Sequence, residues 1–157
     1  MKSSPSATCF GIVYLIAVSL VTGLMSRGLS SDPLPWDHAW SEGLREEVLA
    51  AGFEVVDTSE MRRLVEEGRH LILDARSMQE YDMGQIPGAM PLPIGDFEDH
   101  FLGIAPILSP DSPLIAYCSS AECDQALILA ERLREAGYPN VKIYLDGWKA
   151  WNAEVGP

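Results

Sequence analysis

Three short apolar runs constrain this chain more tightly than anything else in it. HLILDA (residues 70–75), PLIAYC (113–118) and NVKIYL (140–145) all have strand length. The first two are apolar without a break through their middles, so neither could leave one face in water. That is the condition of a parallel strand buried on both sides. FEVVD (53–57) reads as a further short strand and AMPLP (89–93) as a brief extended piece.

Helical patterns fall between these runs. Residues 59–67 carry Met61, Leu64 and Val65 on one side, with Thr58 as the expected cap and Gly68 as the stop. SMQEYDMG (77–84) makes a short helical turn. Residues 125–136 place Ala126, Leu127, Ala130, Leu133 and Ala136 inward and end before Gly137, and GWKAWNAE (147–154) is the last helix. Strands alternating with helices through about 100 residues imply an open α/β sheet covered on both faces, with its chemistry at the carboxyl ends of the strands.

The N-terminus is of a different kind. CFGIVYLIAVSLVTGLM (9–25) holds no charge, and at 1.5 Å per residue it nearly spans a hydrocarbon core of about 30 Å. Residues 1–27 are therefore a membrane anchor or a signal segment. Lys2 precedes the run, and Arg27 is followed by Asp32, Asp37 and Glu42. This weak positive-inside bias keeps the N-terminus in the cytoplasm and puts the globular part on the periplasmic or extracytoplasmic side. Gly28-Leu29-Ser30 is a small-x-small site, which would give a secreted form if cleaved, but no Ala-x-Ala follows, so an uncleaved single-pass anchor is the reading adopted. Residues 28–52 are expected to be a linker with a short helix over 41–51 capped by Ser41, and the domain proper covers 53–157.

A net charge of -12 in 157 residues argues against a nucleic-acid binder, which needs clustered Lys and Arg. Three cysteines, Cys9, Cys118 and Cys123, are too few for a disulfide scaffold. The Cys118–Cys123 spacing with His38, His70 and His100 scattered elsewhere does not make a zinc site, and no metal or other cofactor is expected. Cys118 closes a strand, and a helix begins near Asp124. The loop of Ser119, Ser120, Ala121, Glu122 and Cys123 could curl its N–H groups around the sulfur and favour a thiolate. Position alone leaves two readings open, a nucleophile or a small buried cysteine.

LDARSMQEYDMGQIPGAMPLP (73–93) resembles the rhodanese signature D-x-R-x-x-x-E-[FY]-x-x-G-H-I-P-G-A. It is followed by a strand ending in cysteine and by LDGWKAW (145–151), which is similar to that family's closing motif. The matching residues are Asp74, Arg76, Glu80, Gly84, Pro87 and Gly88. Arg76 is expected to pair with Glu80 and pin the turn, while the two glycines and Pro87 set its backbone.

The resemblance implies a five-stranded, largely parallel sheet and a sulfurtransferase whose Cys118 carries sulfane sulfur as a persulfide. Its partners would be a sulfur donor and a thiol or protein acceptor. Two departures stand out. Members that use thiosulfate have a loop like C-x-x-G-x-R-[ST], whereas here Ala121, Cys123 and Asp124 stand at the glycine, arginine and hydroxyl positions, and Gln85 replaces the usual histidine. Without the arginine, and with Glu122 and Asp124 nearby, an anionic donor such as thiosulfate should be captured poorly. The second reading is a low-turnover docking or redox module in which Cys118 and Cys123, the latter as a resolving thiol, exchange between dithiol and disulfide.

Overall fold

A computed structural model describes residues 15, 16, 18, 19 and 35–156. The chain divides into two compact units, Met1–His38 and Ala39–Pro157, and the second carries the sheet. Among the described residues no helix is long and apolar enough to cross a membrane. The expected anchor lies outside the described residues except for Leu15, Ile16, Val18 and Ser19, which are helical.

Five strands form one sheet: β1 (Glu54–Val56), β2 (Leu71–Asp74), β3 (Ala89–Pro91), β4 (Leu114–Tyr117) and β5 (Val141–Tyr144). Their order is β1-β5-β4-β2-β3, and every neighbouring pair is parallel. β4 lies at the centre with all four residues buried, which is why LIAY is apolar without alternation. The sheet edges look different. β1 runs from exposed Glu54 to buried Val56, and β3 ends on Pro91, a residue tolerated where no further strand needs its missing N–H.

Strand alternation sorts the core onto two faces. Leu73, Leu114, Ala116 and Ile143 point to one side, where they meet Leu44 and Val48 of α1 (Pro35–Ala50), Phe97 of α4 (Phe97–Ile104), and Leu129 and Leu133 of α5 (Gln125–Glu135). Ile72, Ile115, Tyr117 and Tyr144 point to the other, against Met61 and Leu64 of α2 (Thr58–Glu67) and Trp151 of α6 (Gly147–Glu154). The remaining helix, α3 (Met78–Met83), is a single capped turn and a half after β2.

Three local readings change. Asp57, not Thr58, caps α2, its carboxylate accepting from the Glu60 N–H at 2.8 Å. Thr58 is buried inside the first turn, where its hydroxyl lies 2.9 Å from the Tyr144 hydroxyl and donates to Asp146 Oδ2 at 3.2 Å, so it is spoken for. Second, α1 begins before Ser41, which lies within it, and the stretch expected to be a linker supplies Leu44 and Val48 to the core. Third, α4 and the 3-10 turns on either side of it, Ile94–Asp96 and Ala105–Ile107, fill a region to which the sequence assigned no element.

Candidate active site

The signature residues meet at the carboxyl end of β2. Asp74, its last residue, is fully buried, and Arg76 is 3% exposed. The Arg76 guanidinium donates through Nη2 to Asp74 Oδ2 at 2.7 Å and through Nε to Oδ1 at 3.0 Å, so the expected Arg76–Glu80 pair is replaced by Arg76–Asp74. The reason is geometric: Asp74 and Arg76 alternate to the same side of the extended chain, whereas Arg76 precedes the helix that holds Glu80. Burial works against the guanidinium's charge, but Asp74 outweighs it and raises its pKa.

Tyr117, from the central strand, donates its hydroxyl to Asp74 Oδ2 and accepts from the Ile86 N–H at 3.3 Å. Burial first, and the Asp74 charge second, hold that phenol protonated far above its ordinary range. Arg76 also donates to the Gly84 carbonyl at 2.7 Å and lies 5.2 Å from the centre of the Trp148 ring. The turn that follows closes with the Ala89 N–H on the Ile86 carbonyl at 3.0 Å; Pro87 and Gly88, at φ 80°, are the residue types its two central positions require. Pro87 and Gln85 are exposed.

Cys118 follows β4 directly and is 1% exposed. Its loop is anchored by two helices and by bonds of its own. The Ser119 hydroxyl donates to Glu80 Oε1 at 3.0 Å, tying the loop to α3, and Glu80 also completes a capping box with Ser77. Those bonds, Ser77 before Ser119, lower the Glu80 pKa below its ordinary 4.5. From α6, Trp148 N–H donates to the Cys118 carbonyl and Lys149 N–H to the Ser119 carbonyl, both at 2.9 Å. Gly147 makes this approach possible, since a Cβ there would stand 2.6 Å from the Cys118 oxygen. Within the loop, the Cys123 N–H donates to the Ser120 carbonyl at 3.0 Å and the Ser120 hydroxyl to Glu122 at 2.6 Å.

Cys118 and Cys123 are joined by a disulfide with a Cα–Cα separation of 6.2 Å. The expected ring of backbone N–H groups around the sulfur differs in this form: the Cys123 N–H is directed to Ser120, and the helix N-terminus that grips the loop is that of α6, acting on carbonyls. Beside the Cys118 sulfur lie the Gln125 side chain, its Oε1 3.4 Å away, and the Ser119 hydroxyl at 3.9 Å. Sequence reasoning passed over Gln125, although it is the first residue of α5 and so stands at the mouth of the loop. Cys123 and Ala121 are partly buried, while Glu122 and Asp124 are exposed.

A groove of about 490 Å³ runs between the loop and α6, bounded by Ser120, Ala121, Glu122, Asp146, Lys149 and Glu154 among others. Three carboxylates against one ammonium give it a negative balance. At the amino ends of the strands a separate hollow of about 350 Å³ is bounded by His70, Asn140 and Lys142 and contains no thiol. Among the described residues no group of His, Cys, Asp and Glu is gathered to hold a metal.

Comparison with known proteins completes the picture. An HTH-type transcriptional regulator of Mycobacterium tuberculosis, Rv0324, is 32% identical over 105 residues, covering 67% of this chain and 44% of that protein. The thiosulfate sulfurtransferase TUM1 of Saccharomyces cerevisiae is 28% identical, and this chain covers 45% of it, so the chain spans less than half the length of both relatives. The human thiosulfate:glutathione sulfurtransferase is 26% identical and 95% covered, matching 64% of this chain. Among solved structures, the human single-domain sulfurtransferase TSTD1 superposes with a TM-score of 0.56 at 23% identity over 64% of this chain and 96% of that one, a likeness of fold. The family model for the rhodanese-like domain matches residues 57–154, from the cap of α2 through the end of α6, and the chain belongs to that family.

Proposed function

We propose that the protein is a sulfurtransferase that carries sulfane sulfur on Cys118. The observation behind this reading is the placement of Cys118 at the carboxyl end of the central parallel strand, in a loop fixed by α3 and α6. With the disulfide reduced, the Cys118 thiolate attacks the outer sulfur of a persulfide donor, the donor thiolate leaves, and Cys118 bears the persulfide. An acceptor thiolate then attacks that outer sulfur and Cys118 leaves as thiolate. No electrons are gained or lost overall. The negative groove disfavours a small dianion and favours persulfides of thiols or proteins as donors. Sulfurtransferase activity in the yeast and human relatives is in keeping with this chemistry.

The test is mass spectrometry of the reduced protein after exposure to glutathione persulfide, polysulfide or thiosulfate. A gain of one sulfur on Cys118, absent from Cys118→Ser, is expected. Loading of Cys118→Ser with none on Cys123→Ser would move the carrier role to the other thiol. The disulfide favours a second reading, a docking or redox module; reduced protein that exchanges thiol for disulfide yet never gains sulfur would establish it. The charge-free run at residues 9–25 supports a single-pass anchor with this domain on the extracytoplasmic side.

A further inference from the structure

We propose that Cys123 resolves the Cys118 persulfide, so that the protein also releases carried sulfur as hydrosulfide and closes its own disulfide. This rests on the persulfide reading above and adds a reductive activity to it. The two thiols already stand at bonding distance on a loop whose Cα–Cα span, 6.2 Å, is within the usual 4.4–6.8 Å. The Cys123 N–H to Ser120 bond closes a tight turn between them, and the carbonyls of Cys118 and Ser119 are held by α6. Reduction therefore leaves Cys123 tethered beside the sulfur it had bonded.

A persulfide offers two sulfurs to a nucleophile, and the Cys118–Cys123 tether distinguishes them. The inner sulfur, Cys118 Sγ, is the atom to which Cys123 is bonded in the disulfide, so the tethered thiol already has a path to it. Attack by an external acceptor on the outer sulfur is simple transfer. Among the described residues, Cys123 is the thiol placed for the inner one. Its thiolate forms the bond to Cys118 Sγ, the inner–outer S–S bond breaks, and HS⁻ departs with the electron pair. The sulfane sulfur is reduced to sulfide while the two cysteines are oxidised to the disulfide, so the electrons balance within the chain.

Resetting the site needs a dithiol reductant. Cys123, partly buried, is the more accessible half of the disulfide. Attack there expels the Cys118 thiolate, and the second thiol of the reductant then frees Cys123. Each cycle consumes one persulfide and one dithiol, and yields one sulfide, one donor thiol and one oxidised reductant. Attack within a tethered loop also has a high effective concentration, so release competes with transfer whenever acceptor is scarce.

The experiment uses the full chain with Cys9→Ser, reduced, loaded with glutathione persulfide and freed of excess reagent. Sulfide is followed colorimetrically, and the Cys118–Cys123 peptide is followed by mass spectrometry. Release of sulfide in step with disulfide formation is expected, with a persulfide lifetime at least about tenfold longer in Cys123→Ser, since no tethered thiolate remains. Supplying dithiothreitol with continued donor should then give multiple turnovers of sulfide only when Cys123 is present. Persulfide equally stable in both proteins overturns the resolving role and leaves sulfur transfer standing. Failure of both proteins to load overturns the persulfide reading, and this inference with it.

Discussion

Arg76 grips Asp74 through two nitrogens, at 2.7 and 3.0 Å, in a position where neither side chain reaches water. The pair is the hub from which the Tyr117 hydroxyl, the Gly84 carbonyl and the Trp148 ring are all placed. Arg76→Ala would leave a buried carboxylate without its counter-charge. A loss of about 3–5 kcal/mol in chemical denaturation is expected. Glu80→Ala should not reproduce it, and an equal loss in both variants would restore the Arg76–Glu80 pairing that the sequence spacing invites.

Gly147 is the second structural test. At φ 69°, with the Cys118 carbonyl 2.6 Å from where a Cβ would lie, Gly147→Ala strains the backbone and pushes α6 from the loop. A destabilisation of about 1–3 kcal/mol is expected. Gly95→Ala, which meets open space, should cost under about 0.5 kcal/mol on the same instrument.

Glu80 carries a pH signature. Its folded pKa is depressed below the ordinary 4.5 by the Ser77 and then the Ser119 hydrogen bonds. A depressed carboxyl contributes stability that is complete above the unfolded pKa and disappears as pH falls through the folded one. The stability gap between the protein and Glu80→Gln should therefore be constant above about pH 5.5 and shrink progressively below pH 4.5. A gap independent of pH from 3 to 7 would assign the difference to packing.

Donor choice can be shifted by charge. Cys123→Arg places a fixed cation in the Cys118 loop and removes the disulfide. Thiosulfate turnover should rise on the order of tenfold relative to Cys123→Ser, which removes the disulfide alone. Identical rates in the two variants would mean that the charge is not what limits thiosulfate.

For the N-terminal run, alkaline phosphatase fused after Pro157 should be active if residues 9–25 hold the domain outside the cytoplasmic membrane. An inactive fusion beside a fluorescent cytosolic reporter would reverse the orientation.

The sheet and the thiol loop were legible because their signals are local. LIAY is apolar from end to end, and the chain meets Cys118 where that strand stops. What eluded sequence reasoning depends on the fold. The i,i+4 spacing of Arg76 and Glu80 suggests a shared helical face, but α3 starts only at Met78, and extended geometry gives Arg76 to Asp74. Phe97, Phe101 and Ile104 stand at helical spacing, yet Gly95, Gly103 and Pro106 dilute the pattern over a short segment. Leu44 and Val48 lie beyond a proline-rich tether, and nothing local says that their helix returns to the core.

The position of β5 between β1 and β4 has a consequence for biosynthesis. β2, β3 and β4 can pair as they leave the ribosome, but the first strand has no neighbour until the last has been made. The same late stretch brings the N–H groups of Trp148 and Lys149 that hold the Cys118 and Ser119 carbonyls. A nascent or clipped chain ending before residue 141 lacks the α6 contacts of the thiol loop and the strand that joins β1 to β4. The α6 contacts of the thiol loop are thus made only once synthesis has passed all five strands.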